Sequence, residues 1–180
     1  MAIPAGAAGF TNVVDVISID VADSVLAYLV DFGCGDLDRF CRLVPGDIAW
    51  DQCDCGLFAQ TITSTYPSNT FPTSAADTPY DACGPLLIVY AVTAELVRCA
   101  PTVDDEGTAP TCTELETAAR TLECDRQALR LGVVCALTDL RDTDRIIEFT
   151  VGDAATSGPQ GGCVGVSLAY RIAVPNVCCD

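Results

Sequence analysis

Cys34, Cys41, Cys53 and Cys55 are the residues of this 180-residue chain whose type is best suited to chemistry, because four thiolates can close a tetrahedral zinc site. Their spacing argues against it. Six, eleven and one residues separate them, whereas structural zinc sites pair cysteines about two to four residues apart, and the sulfurs of a Cys-x-Cys are hard to aim at one ion. The same thiols can serve as disulfide partners or as small buried hydrophobes, and plain packing is the leading expectation. The chain holds twelve cysteines and closes on Cys178 and Cys179. An even count fits one or two disulfides that form after release from the cell, with the connectivity left open.

Asp51, Asp54 and Asp81 lie near turns where a metal or an acid–base pair can form. In a chain with 25 acidic residues a neighbouring pair carries little weight. There is no histidine, so an acyl-transfer triad lacks its usual base, and neither Gly-x-Ser-x-Gly nor a Walker loop occurs. The glycines between Gly152 and Gly165 join two β-prone segments and do not open a helix, which disfavours a phosphate cradle. No catalytic residue, metal ligand or cofactor is therefore assigned, and the chain reads as a structural or binding protein, not an enzyme.

Half of the residues are apolar and the mean hydropathy is +0.35, enough for one core and a single domain over 1–180, with 1–12 as a flexible or docking arm. All nine basic residues are arginine and the formal charge is −16. That balance disfavours phosphate-backbone binding and anionic membranes. The arm lacks the basic start of a signal peptide, and Pro4, Gly6 and Gly9 interrupt its apolar run. Leu86 to Ala94 is about half the ~20 residues needed to span a bilayer. The expectation is a soluble protein made in a cytoplasm.

The elements follow from periodicity. Asp20 is expected to cap a helix carrying Val21, Val25, Leu26, Leu29 and Val30 on one face and fading near Gly33 and Gly35. A short helix is expected over Leu37 to Leu43, then a strand from Leu57 to about Tyr66, stopped by Pro67. Pro67 to Pro85 reads as a long loop. Leu86 to Val97 reads as a central strand buried on both faces at its start and on one at its end. Thr111-Cys-Thr-Glu114 is a capping box opening a long helix with Leu115, Ala118, Ala119, Leu122, Leu129, Gly132 and Val133 on its apolar stripe. Small residues at 118 and 119 are expected to let that helix lie close on the sheet. Arg145 to Val151 and Cys163 to Val174 read as a last pair of strands joined by a Gly-rich loop, Gly152 to Gly162. The sum is an α+β domain: a mixed or antiparallel sheet of about four strands, packed by a long helix and an N-terminal helix.

Trp50 is the only tryptophan, and it reads either as a plug on the sheet or as an interface anchor. Tyr66 and Phe71, beside Pro67 and Pro72, are the other candidate interface residues. Pro45 to Leu57, Tyr66 to Pro72, Arg98 to Gly107 and Gly158 to Gly165 resemble segments of proteins from the structural gene block of tailed phages infecting actinobacteria. The likeness spans roughly Pro45 to Val174 and points to the tail terminator of the head–tail neck. It implies a tail-terminator-like α+β fold assembled as a hexameric ring, in the virion of a siphophage and, during assembly, in the host cytoplasm. Its implied partners are the tail tube protein and the head-completion or stopper protein, with DNA passing through the lumen without specific binding. Other readings are a stopper or adaptor of the same connector, a secreted cysteine-rich binding domain, and a metal-dependent enzyme built on the Asp clusters.

Overall fold

The structure is a computed structural model that describes residues 13–50, 56–75, 86–103 and 106–176. Its chain opens on a continuous helical stretch: α1 (Val13–Asp15), a π-helical segment (Val16–Val21) and α2 (Ala22–Phe32). Val16, Ile17, Val21, Val25 and Leu29 are buried along it. Asp20 therefore lies inside the helical stretch instead of capping it, and its carboxylate pairs with Arg145 at 2.8 Å. Of the expected apolar face, Leu26 and Val30 are exposed, Val30 at 71%. Gly33 ends α2 in the left-handed conformation, with its N–H bonded back to Leu29 and Val30 carbonyls, a position that glycine fills without strain.

The expected helix over Leu37 to Leu43 is instead a strand, β1 (Arg39–Cys41), paired parallel with the start of β2 (Leu57–Ser68). Two contacts decide this. Phe40 stacks on Phe58 with ring centroids 4.7 Å apart, and Gly56 leaves room that a Cβ would fill at 2.9 Å from the Leu37 Cα. β2 also continues through Pro67, which sits in register with Ile88 of β3 (Leu87–Cys99). β1 covers only Leu57 to Ala59, so the rest of β2 is an edge where a missing N–H costs nothing.

β3 pairs antiparallel with β2 and with β5 (Cys163–Pro175), and β4 (Glu148–Gln160) pairs antiparallel with β5 on the far edge. The order β1-β2-β3-β5-β4 makes a mixed five-stranded sheet in an α+β domain. Burial along β3 runs opposite to the expectation: Leu96, Val97 and Arg98 near its end are buried, while Leu87 and Ile88 at its start are half-buried. The glycine-rich run after Val151 is strand, not loop. Two register shifts, between Val151 and Ala154 and between Ser157 and Gln160, absorb its irregularity. Only Gly161 and Gly162, both at positive φ, form the turn.

α3 (Cys112–Asp142) packs antiparallel to α2 on one face of the sheet. The two helices approach closely at Gly132, where a Cβ would stand 2.6 Å from the Val25 Cα; of the small residues expected to lie on the sheet, Ala118 is half-buried and Ala119 exposed. The main core lies between these helices and Phe58, Val92, Leu96, Val166, Leu168, Tyr170 and Ile172 of the sheet. The first turns of α3 lie beyond this core, with Leu115 50% exposed.

Candidate functional site

Two constellations stand out, one inside the domain and one on the uncovered sheet face. The inner one begins at Arg98, on the helix-facing side of β3. Its Nε and one terminal nitrogen donate to the two carboxylate oxygens of Asp125 on α3, each at 2.8 Å. The guanidinium also donates to the carbonyls of Cys34, Gly35 and Asp36 in the loop leaving α2. Asp125 is fully buried and Arg98 nearly so. Beside them Cys34 is joined to Cys124 of α3 by a disulfide. A guanidinium with every acceptor supplied by protein, sealed behind a disulfide, clamps three elements and leaves no side of the ion pair open to a substrate.

Nearby polar groups are likewise consumed by structure. Gln60, fully buried, donates to the Ile17 carbonyl in the π-helical segment at 2.9 Å and to the Arg42 carbonyl at 3.1 Å, and accepts from the Tyr170 hydroxyl at 2.8 Å. Burial pushes the Tyr170 phenol far above its ordinary value. Tyr28 donates to the Cys135 sulfur at 3.2 Å, and that bond raises the Tyr28 pKa.

The outer constellation is built by the segment after β1. Val44, Ile48 and Trp50 fold back over Leu57, Ala59, Val97 and Cys163 as a small second core on the sheet face opposite the helices. Trp50 crosses Gly165, where a Cβ would meet the indole at 2.9 Å, and donates its N–H to Glu95 at 2.9 Å. Beside the ring an open groove of about 530 Å³ is lined by Asp47, Ile48, Trp50, Thr61, Thr93, Glu95 and their neighbours. Thr61 is only 5% exposed, yet its hydroxyl has no hydrogen-bond partner among the described residues.

Trp50 is thus both a plug on the sheet and a wall of this groove. Tyr66 and Phe71 are not with it. Tyr66 lies in the last residues of β2 and Phe71 in the turn beyond it, where Tyr66 donates to the Pro72 carbonyl at 2.9 Å and Ser68 donates to the Thr73 carbonyl at 2.6 Å. Of the cysteines singled out by spacing, Cys34 bonds Cys124 across 90 residues and Cys41 is a free, half-buried thiol. Cys53, Cys55, Cys178 and Cys179 lie outside the described residues, as do Asp51, Asp54 and Asp81. With Cys34 oxidised, the four-thiolate zinc arrangement has lost a ligand. Cys163 is also disulfide-bonded.

Arg98, Asp125, Cys124, Glu95 and Thr61 were not among the residues singled out by sequence. Asp125 had a signal, since it falls between Leu122 and Leu129 on the apolar stripe of α3, and a carboxylate there must find a cation. Glu95 alternates with apolar neighbours in β3 as any solvated strand residue does, and Thr61 is one of several threonines in the β-prone run of β2, so nothing set them apart.

Fold and site define a class: a one-sided α+β domain whose helices cover one sheet face and whose other face carries an aromatic and acidic groove. Among the described residues no three His, Cys, Asp or Glu side chains converge as a metal site, and no helix is long and apolar enough to cross a membrane. No protein-family model and no curated protein matches the chain.

Proposed function

We propose that this protein is a virion structural protein of a tailed phage: a tail terminator of the head–tail neck. In this reading it forms a ring that caps the tail tube, stops its polymerisation and joins the tail to the head connector. The observation that carries it is the one-sided sheet. Its uncovered face holds small and polar side chains, among them Thr63, Ala91, Thr93, Ser167 and Ala169, which suit the close approach of another subunit better than they suit catalysis. The long edge of β4 offers a second surface for pairing between copies. The resemblance of Pro45 to Val174 to neck proteins supplies the particular assembly, a hexamer, and its fold would then be tail-terminator-like.

Six copies at −16 each carry −96. A lumen lined partly with acid repels DNA and lets it slide through without binding; a lumen lined with arginine would contradict this. A secreted cysteine-rich binding domain is the second reading, favoured by the Cys34–Cys124 disulfide. The two differ in assembly. Purified chain imaged by negative stain should give rings, and those rings should cap the ends of tubes grown from the tail tube protein. A chain that stays monomeric in concentrated solution and leaves tube length unchanged would sink the terminator reading.

A further inference from the structure

We propose that the groove beside Trp50 is an arginine-accepting site whose occupant is Arg120 of a second copy of this chain. The start of α3 in one subunit then docks on the uncovered sheet face of the next. This rests on the assembly reading above and supplies its contact.

The groove has the chemistry of a guanidinium site. Trp50 offers an aromatic wall, and its N–H occupies only one oxygen of Glu95. No cation lies within ion-pair distance of Glu95 or Asp47 among the described residues. The Thr61 hydroxyl, on a side chain 5% exposed, opens into the same space without a partner among the described residues. An arginine brings a flat cation that stacks on indole and up to five N–H donors in a fixed fork, which matches two carboxylates and a threonine hydroxyl.

The occupant follows from the inventory of arginines. The chain has no lysine or histidine, and all nine arginines lie in the described segments. Arg42, Arg98, Arg126, Arg141 and Arg145 pair with carboxylates of their own chain, and Arg39 is also partnered. That leaves Arg120, Arg130 and Arg171, all exposed and without an ion pair among the described residues. Arg171 lies on the same sheet face as the groove, so using it would pair two faces and end in a closed dimer. Arg130 follows the buried Ala128 and Leu129, in the part of α3 that covers the core. Arg120 stands in the first three turns of α3, where the residues from Cys112 to Thr117, with Ala119 and Arg120, are exposed. The half-exposed Leu115 there gives the contact apolar area. Donor and acceptor then sit on opposite layers of the domain. Such a contact is heterologous: it repeats from copy to copy and can close a ring.

The test uses full-length oxidised chain in size-exclusion chromatography with light scattering over a concentration series. Arg120→Glu and Glu95→Arg should each weaken self-association by about thirtyfold or more, the scale for breaking a close interfacial charge pair. The exchanged pair, Glu95→Arg with Arg120→Glu, should recover assembly, which a merely misfolded variant would not do. Mixing the two single variants should also recover assembly, with the two alternating, because each junction is then either the native pair or the exchanged pair. Arg171→Glu should assemble as the unmodified chain does. Assembly unchanged in Arg120→Glu, or lost in Arg171→Glu instead, overturns this contact while leaving a ring-forming protein in place. An unmodified chain that is monomeric throughout overturns the assembly reading together with it.

Discussion

At the scale of single residues the decisive pair is Arg98 and Asp125. A carboxylate with no exposure tolerates its charge only because a guanidinium meets both oxygens at 2.8 Å and spreads its remaining donors over the Cys34, Gly35 and Asp36 carbonyls. Removing one partner leaves the other charged and desolvated. Asp125→Ala should therefore lower the unfolding free energy by about 3 to 5 kcal/mol. Replacing both, as Arg98→Met with Asp125→Leu, should cost much less, because no charge is left stranded. Urea unfolding followed by circular dichroism checks both; equal losses in the single and the double variant would mean that packing, not charge, sets the value. Glu95 differs in kind. It is half-exposed on the open face and holds a single N–H, so it has capacity left for a partner outside its own chain.

At the scale of elements, α3 shows how local chemistry sets a boundary. Thr111 accepts from the Glu114 N–H at 3.3 Å, and Glu114 accepts from the Thr111 N–H at 2.7 Å and from its hydroxyl at 2.8 Å. The Thr111 backbone N–H first, and its hydroxyl second, hold the Glu114 carboxyl below its ordinary value. A carboxyl depressed in the folded state stabilises it above the ordinary carboxylate range and loses that contribution as pH falls through the lowered value. Amide hydrogen exchange at Thr113 to Glu116 should thus lose protection on acidification through that range, and Glu114→Gln, which removes the titrating carboxyl, should remove the pH-dependent step. Protection independent of pH would show that the cap contributes nothing there.

This boundary was legible because the capping box is complete within four consecutive residues. The long helix, the central strand and the alternation of β5 were legible for the same reason: their periods are carried by their own side chains. What was not legible depends on partners far along the chain. β1 exists as a strand because Phe40 finds Phe58, and a three-residue segment has no period of its own. Asp20 has the look of a cap, but its partner Arg145 comes 125 residues later. Pro67 stops a central strand and is tolerated at an edge, and only the shortness of β1 makes that half of β2 an edge. In the groove only Trp50 was legible, because Glu95 and Thr61 acquire meaning once β2 and β3 set them side by side.

At the scale of the whole molecule the question is how a chain of formal charge −16 holds together before and after its cysteines oxidise. The main core joins both helices to β2, β3 and β5, with the partly buried Phe40 of β1 and Phe149 and Val151 of β4 packed against it, so the fold has apolar burial enough to form with thiols reduced. The Cys34–Cys124 bond then ties the exit of α2 to the middle of α3 across 90 residues. Closing so long a loop removes chain entropy from the unfolded state, by about 4 to 5 kcal/mol in the simplest treatment, and ring closure of this size scales only slowly with length. The Cys34→Ser, Cys124→Ser double variant should therefore still fold, with the same circular dichroism, but unfold at lower urea by that order of free energy. It isolates this bond, whereas a reductant would also open the one at Cys163. A double variant that does not fold would mean that oxidation precedes folding and that the protein matures only outside a reducing cytoplasm. An unchanged urea midpoint would mean that the Arg98 and Asp125 clamp already restrains the same two segments, leaving the disulfide little to add.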